Sequence, residues 1–344
     1  MKALIVGAGV AGLGIGWRLA QAGVQVTVLE RGEPGMGASF AAAGMIAATA
    51  EMADAPPAEA AFAGRARVLW PGFAAELEAT SGVAVGYRQN GALMLEPRPA
   101  ILPPGTQWLD GAAARVRAPM LADVPGALWA PEEAQADSRA LTRALGRALS
   151  AAGGRLLSGV TVTAVEAKAA VTPSGRHEAD AVILAAGAWS GALGLPVTPV
   201  PITPVKGQMI ALAPPPGTAI PEPVIWGEGV YLVPRSDRLL VGATVEEAGF
   251  DLGLTETARD DLRARAERLI SGLKHWTLAE HWAGLRPRSP DGLPLLGRLG
   301  NGVFVAGGQY RNGILFAPAI AEHLRDLVLG RAAVIPAFDP QRFQ

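Results

Sequence analysis

The stretch Ala3-Leu4-Ile5-Val6-Gly7-Ala8-Gly9-Val10-Ala11-Gly12, followed by Gln25-Val26-Thr27-Val28-Leu29-Glu30, decides the fold. An apolar strand over 3–6 runs into glycines at 7, 9 and 12. A helix is predicted over 10–22, and a second strand over 25–29 ends on an acid. G-x-G-x-x-G between a strand and a helix, with an acidic residue roughly 20 positions on, is the dinucleotide-binding fingerprint. Gly7 permits the tight turn, Gly9 lets the backbone approach a pyrophosphate, and Gly12 lets helix and strand pack closely. The helix N-terminus offers free N–H groups and positive dipole to phosphates. Glu30 is placed to accept hydrogen bonds from a ribose diol, and its charge repels a 2′-phosphate. The bland alternative, a glycine-rich turn that only packs a helix on a sheet, accounts for the glycines but not for the acid.

Composition points to small-molecule chemistry. A chain of 344 residues exceeds the size at which single cores stop growing, so two domains are expected. Thirty basic against 31 acidic residues give a net charge of −1 with no run of like charges, which argues against nucleic acid or an anionic membrane as partner. With no cysteine there is no disulfide, thiolate nucleophile, sulfur-based zinc site or flavin joined through a cysteine thioether. The four histidines, His177, His275, His281 and His323, show neither H-x-H nor H-E-x-x-H spacing. No metal site is expected, and each reads as a surface or strand-side residue. Lys2 and the apolar run 3–17 superficially resemble a secretory signal. The glycines sit at fingerprint spacing, however, Arg18 follows without a cleavage pattern, and the run is too short for a bilayer. A cytoplasmic location is expected.

Further along, 31–39 is turn-rich, and the small residues 41–45 read as the start of a closely packed helix. Residues 58–80 have helical spacing broken by Pro71, 86–96 reads as strand with a turn at Asn90-Gly91, and 97–131 reads as proline-rich connection. Asp137-Ser138 caps an amphipathic helix over 139–152 that ends at Gly153-Gly154. Strands are predicted at 155–157, 160–165 and 181–185, the last buried and parallel by its apolar run. After the proline-spaced passage 196–204, the alternating segments 208–213, 230–234 and 239–243 read as antiparallel strands. A polar helix over 255–271, a strand near 278–285, a strand over 303–306 and a helix over 313–329 complete the chain. That last helix is expected to aim its N-terminus at a cofactor.

The fingerprint with Glu30-Arg31, Gly37-Ala38-Ser39 with Ala41-Ala42-Ala43-Gly44-Met45, and Ala185-Ala186-Gly187-Ala188-Trp189-Ser190 occur in order. So do Pro204-Val205-Lys206-Gly207, Tyr231-Leu232-Val233-Pro234-Arg235, Ala283-Gly284-Leu285-Arg286-Pro287 and Arg311-Asn312-Gly313-Ile314-Leu315. This succession resembles the flavin-dependent D-amino-acid oxidase superfamily, and within it the glycine oxidases of thiamine biosynthesis. The resemblance implies an α/β fold: a Rossmann-like FAD-binding domain (1–80, 131–195 and 285–344) with an inserted, mainly antiparallel substrate domain (81–130 and 196–284). It implies non-covalent FAD held by Gly7, Gly9, Val10, Ala11, Gly12, Glu30, Arg31, Ala38, Ser39, Ala43, Gly44, Met45, Val162 and Gly187. The segment Gly308, Gln309, Tyr310, Arg311, Asn312, Gly313, Ile314 and Leu315 would lie along the flavin. Arg286 corresponds to the family's substrate-carboxylate arginine, Tyr231 to a tyrosine that helps hold the carboxylate, and Arg311 to a residue at the flavin and substrate boundary. Relatives often assemble into homo-oligomers.

Physical chemistry bears on these roles separately. An α-carboxylate must be oriented so that its Cα–H faces flavin N5, and an arginine fork does so with one geometry. The structural alternatives are an ion pair of Arg286 with an acid such as Asp291, a helix-start role for Arg311, and a half-buried sheet tyrosine at 231. Lys206 reads as a sheet-edge lysine. Gly187 to Gly191 is no nucleophile elbow, its serine being one place off, and reads as a strand end beside the cofactor. Where a glycine oxidase carries a histidine and a methionine, this chain has Gly229 and Val245. Both are expected to border the substrate pocket and leave room for more than glycine. The expected activity is oxidation of a small amino acid or amine to an imine and then an oxo acid, with O2 reduced to H2O2. The alternatives are a D-amino-acid or sarcosine dehydrogenase with another acceptor, a tRNA-modifying flavin domain, and an NAD-dependent dehydrogenase.

Overall fold

The computed structural model describes residues 1–49, 51–52, 54–95, 97–194 and 200–343. A six-stranded sheet runs in the order Leu295–Gly300, Val303–Gly307, Ala181–Leu184, Lys2–Val6, Gln25–Leu29, Arg155–Leu157. All its pairs are parallel except the first. The central strand Lys2–Val6 thus has its successor on one side and Ala181–Leu184 on the other. The carboxyl ends of these two strands form the switch point where open α/β sheets bind ligands. Gly7 makes this junction possible: its φ is +105°, and a Cβ there would stand 2.4 Å from the Ala185 carbonyl oxygen.

Helices Val10–Gln21, Ser138–Ala151 and Ala317–Val328 pack on one face with Pro57–Ser81 outside them, around buried Trp17, Phe62, Trp70 and Phe316. A three-stranded meander over 164–178 covers the other face, with Val165 and Ala170 against Leu4, Val6 and Leu184. A Cβ at Gly12 would come within 2.0 Å of the Gly7 carbonyl, so the first helix lies as close to its strand as the spacing predicted.

The second large sheet has eight strands, in the order 277–288, 203–213, 239–242, 230–234, 224–227, 92–94, 126–130, 107–110. Its pairs are antiparallel except 224–227 with 92–94. The strand Thr277–Arg288 runs past the expected division at 284/285, while that at 195/196 lies outside the described residues. One face packs against helix Glu256–Leu269, burying Ile210, Leu232 and Val241 with Leu262, Ala266 and Leu269. The other face, with Met209, Ala211, Val233 and Trp282, meets Ala41 and Ala43 of the first half.

Several local expectations are corrected. Pro71 does not break its helix, which is continuous over Pro57–Ser81 because Trp70, Phe73, Ala74 and Leu77 all bury in the core. The 41–45 segment is a one-turn helix over Ala38–Ala41 followed by the short strand Met45–Ile46. Residues 97–131 contain two strands and the helix Gly111–Arg117. The strand predicted over 160–165 is confined to Ala164–Glu166. The last helix begins at Ala317, not 313, after turns in which Phe316 and Ala317 amides bond back to Asn312 and Ile314. His323 is buried against Phe62 rather than at the surface.

Trp70 ties the outer helix to the end of the chain: it is fully buried, stacks on Tyr87, and donates from Nε1 to the Leu315 carbonyl at 2.9 Å. Trp70→Ala is expected to cost about 3–5 kcal/mol and Trp70→Phe about 1 kcal/mol for the lost hydrogen bond, measured by denaturant unfolding.

Candidate active site

The carboxyl edge of the parallel sheet and the open face of the antiparallel sheet enclose a cavity of about 580 Å³, a size usual for cofactor and ligand clefts. It is lined by Gly7, Gly9, Val10, Ala11, Glu30, Arg31, Ala38, Ser39, Ala43, Gly44, Met45, Val162, Gly187, Gln309, Tyr310, Arg311, Asn312, Gly313 and Ile314, and also by Tyr231 and Arg286. Sequence positions from every part of the chain thus meet in one space. Gly12, Gly308 and Leu315 do not line it. Gly12 is spent on helix–strand packing, Gly308 forms a turn with φ +70°, and Leu315 is buried in the core below Trp70.

One end of the cavity is built by the opening fingerprint. Glu30 Oε2 accepts from the Ala8 amide at 2.8 Å and Oε1 from the Gly32 amide at 3.1 Å, which aims the carboxylate and leaves spare lone pairs on both oxygens. Gly9, the helix N-cap, has no side chain to satisfy the first-turn amides, and Ser39 Oγ accepts from Val10 at 3.0 Å. Arg31 lies 3.8 Å from the centroid of Trp189, which itself stacks with Phe250.

The other end is set by register on the antiparallel sheet. Along 277–288 the alternation puts Trp282, Gly284 and Arg286 on the cavity face, and along 203–213 it puts Val205, Gly207 and Met209 there. The Arg286 guanidinium bends back across Gly207, where a Cβ would come within 2.3 Å of Nη1. Nη1 donates to the carbonyls of Lys206 (3.3 Å) and Thr244 (3.1 Å). No carboxylate among the described residues lies within salt-bridge distance of Arg286. Asp291, the suggested partner, is instead taken by Arg342, with Nε at 2.8 Å. The Tyr231 ring lies flat over Gly242, where a Cβ would meet its Oη at 2.6 Å. Its hydroxyl points at Met209 Sδ, 3.7 Å away, a weak acceptor. Burial raises the Tyr231 pKa, so the phenol keeps its proton and remains a donor throughout the neutral range.

Between these ends, Arg235 donates to the carbonyls of Ala43 (2.5 Å) and Ala136 (3.1 Å) and to Gln135 Oε1 (2.6 Å). It thereby pins the cavity-lining segment 43–45 to the second sheet. Burial lowers its pKa to about 10, so it is still charged at neutral pH.

Some residues depart from the sequence reading. Lys206 is on an inner strand, buried on the face away from the cavity, with Nζ 3.1 Å from Asp251 and 3.4 Å from Glu246. Gly229 and Val245 do not line the cavity. Gly229 forms the hairpin turn beside Arg265, and Val245 is 63% exposed. Arg311 pairs with Glu51, a cavity residue that no sequence pattern singled out. The described residues contain no cluster of acidic, histidine or cysteine side chains suited to a metal.

A flavin dinucleotide fits this cavity. The buried Gln309 Nε2 has no partner among the described residues although its side chain lines the space, uncapped helix amides stand at one end, and the diol-accepting carboxylate is preoriented. Fold and site together define a two-sheet flavoprotein oxidoreductase. The family of FAD dependent oxidoreductases matches residues 2–327, and the chain belongs to it. The chain is 39% identical to the bifunctional protein ThiO/ThiG of Synechocystis over 99% of its own length, and it spans about half (54%) of that relative. The glycine oxidase of Geobacillus kaustophilus is 34% identical, covering 94% of this chain and 92% of the relative. The crystal structure of glycine oxidase from Geobacillus kaustophilus superimposes with a TM-score of 0.91 at 31% identity, covering 99% of both chains.

Glu30→Ala is expected to weaken FAD binding at least about tenfold, the range for hydrogen bonds to a charged group. Titration of the apoprotein with FAD, followed by quenching of flavin fluorescence, measures it.

Proposed function

We propose that this chain oxidises a small amino acid or N-substituted glycine to the imine, which hydrolyses to an oxo acid and ammonia or a primary amine, with O2 as electron acceptor. The observation that carries the reading is the Arg286 guanidinium, which faces the cavity and donates to two backbone carbonyls with no carboxylate partner among the described residues. A cation held so, beside a half-buried neutral phenol, calls for an anion supplied from outside. The α-carboxylate of an amino acid meets both groups: Arg286 takes its two oxygens, and Tyr231 Oη turns from Met209 to donate a further hydrogen bond. When bound, the flavin supplies the acceptor for the hydride from Cα and the route for electrons to oxygen. The protein's own part is to anchor the carboxylate on one sheet face so that Cα–H is directed across the cavity, and to do so with an arginine already bent over Gly207. The relatives called glycine oxidases support the substrate class, and ThiO/ThiG supports a place in thiamine biosynthesis. The expected roles of Arg286 and Tyr231 are thus retained. Those of Gly229 and Val245 are not.

Anaerobic bleaching of the flavin with glycine, sarcosine, D-alanine, D-proline and larger D-amino acids tests this. At least one small carboxylated amine is expected to bleach it, and an oxygen electrode then reports consumption with peroxide formed. A flavin untouched by every member of the set would refute the proposal. Arg286→Ala is expected to abolish bleaching while the protein stays yellow.

A second substitution separates anchoring from folding. A methyl group at Gly207 collides with the far end of a flexible side chain rather than with backbone, so Gly207→Ala displaces the Arg286 head without disturbing the sheet. Half-saturation by carboxylated substrates is expected to rise about 10- to 100-fold, the worth of a charge-assisted hydrogen bond. The melting temperature and FAD affinity stay near those of the parent protein. A normal half-saturation value would show that the guanidinium does not hold the substrate.

A further inference from the structure

Apart from Arg31, which lies on the Trp189 ring, the cavity contains two guanidinium groups that differ in one respect. Arg286 has no carboxylate partner among the described residues, whereas Arg311 Nη2 stands 2.9 Å from Glu51 Oε1. The two partners are 260 positions apart in the chain, so the pair exists only through the fold. The Glu51 side chain is 12% exposed and that of Arg311 45%, which makes Glu51 the buried member, dependent on Arg311 for compensation. Burial raises the Glu51 pKa while Arg311, and behind it Arg286, pull it back. Glu51 and Arg286 both line this cavity. Arg286, Arg311 and Glu51 together carry a net single positive charge.

Resting on the function proposed above, we infer that Glu51 is a specificity-determining residue: by occupying Arg311 it restricts the site to amines bearing one carboxylate. A second carboxylate on the substrate, reaching for Arg311, has to displace Glu51. The buried Glu51 carboxylate is then left without its partner and facing a like charge, which is the repulsive element that discrimination between similar ligands needs. A neutral group of the same shape pays neither penalty. The selection is therefore by charge rather than by volume.

Three substrates separate these effects: sarcosine, iminodiacetate and iminodiacetic acid monoamide. The last two have nearly the same shape and differ by one charge. In the FAD-loaded wild-type protein, the second-order rate constant of anaerobic flavin bleaching is expected to be at least about tenfold higher for the monoamide than for iminodiacetate. Glu51→Gln is expected to bring that ratio to one or invert it. Where neither compound bleaches the flavin, dissociation constants from perturbation of the flavin spectrum give the same ratio. A wild-type ratio near one, a ratio unchanged in Glu51→Gln, or a site that binds neither compound overturns the inference, the last because exclusion is then by size. Should Glu51→Gln lose FAD, Glu51→Ser provides the second variant, and the wild-type ratio decides if both do. If sarcosine and all other carboxylated amines fail to bleach the flavin, it is the proposed function that fails. If sarcosine bleaches it and iminodiacetate does so equally well, only the role of Glu51 falls.

Discussion

A cation kept at the wall of a cavity with no anion among the described residues to meet it is the constraint on which this architecture turns. Removing a guanidinium from water is costly, and most proteins compensate with a carboxylate. Here Arg286 has two backbone carbonyls and an open cavity instead. Such an arrangement persists only if the surroundings fix it. The strand Thr277–Arg288 pairs along its length with Thr203–Ala213, the side chain bends over a residue without a Cβ, and the helix packed behind the sheet prevents that floor from yielding. The sheet is a rigid mount for one charge.

The same device recurs beside it. Tyr231 lies over Gly242 as Arg286 lies over Gly207, and at Gly284 the absent Cβ admits Ala41 of the first half. Glycine usually weakens a strand. On this face it makes space for the ends of two polar side chains and for the close approach of the other half of the molecule. What the sheet loses in packing on that face it recovers on the opposite one, where Ile210, Leu232 and Val241 meet an amphipathic helix. Lys206 belongs to that opposite face by the same alternation, which is why it bonds Asp251 and Glu246 and not the cavity.

Much of the molecule was legible before any coordinates. The fingerprint, the capped helix after Asp137 and the alternating strands are local signals, each requiring only a turn, a cap or a period of two or of 3.6 residues. Misreadings came where packing outweighed local preference. Pro71 is a helix breaker in isolation, yet Trp70, Phe73 and Leu77 bury on the same helix and carry it through. The proline-rich stretch 97–131 hides an edge strand, 107–110, and its inner neighbour 126–130, which pair with each other and, through the latter, with 92–94. Gly229, two places before Tyr231, and Val245, after Gly242-Ala243-Thr244, belong to a turn and an exposed loop.

By itself the sequence determined the strand–glycine–helix junction and the acid that ends the second strand, because glycine spacing and an acid at a set distance act through the backbone close by. It also supplied, through its resemblance to a known family, the arginine and tyrosine proposed above to hold the substrate. Only the tertiary structure decided that, among the described residues, Arg286 has no acidic partner while Arg311 has one. Ion pairing depends on distance in space, and Glu51 stands 260 residues from Arg311 in a segment with no periodicity to reveal where its side chain points.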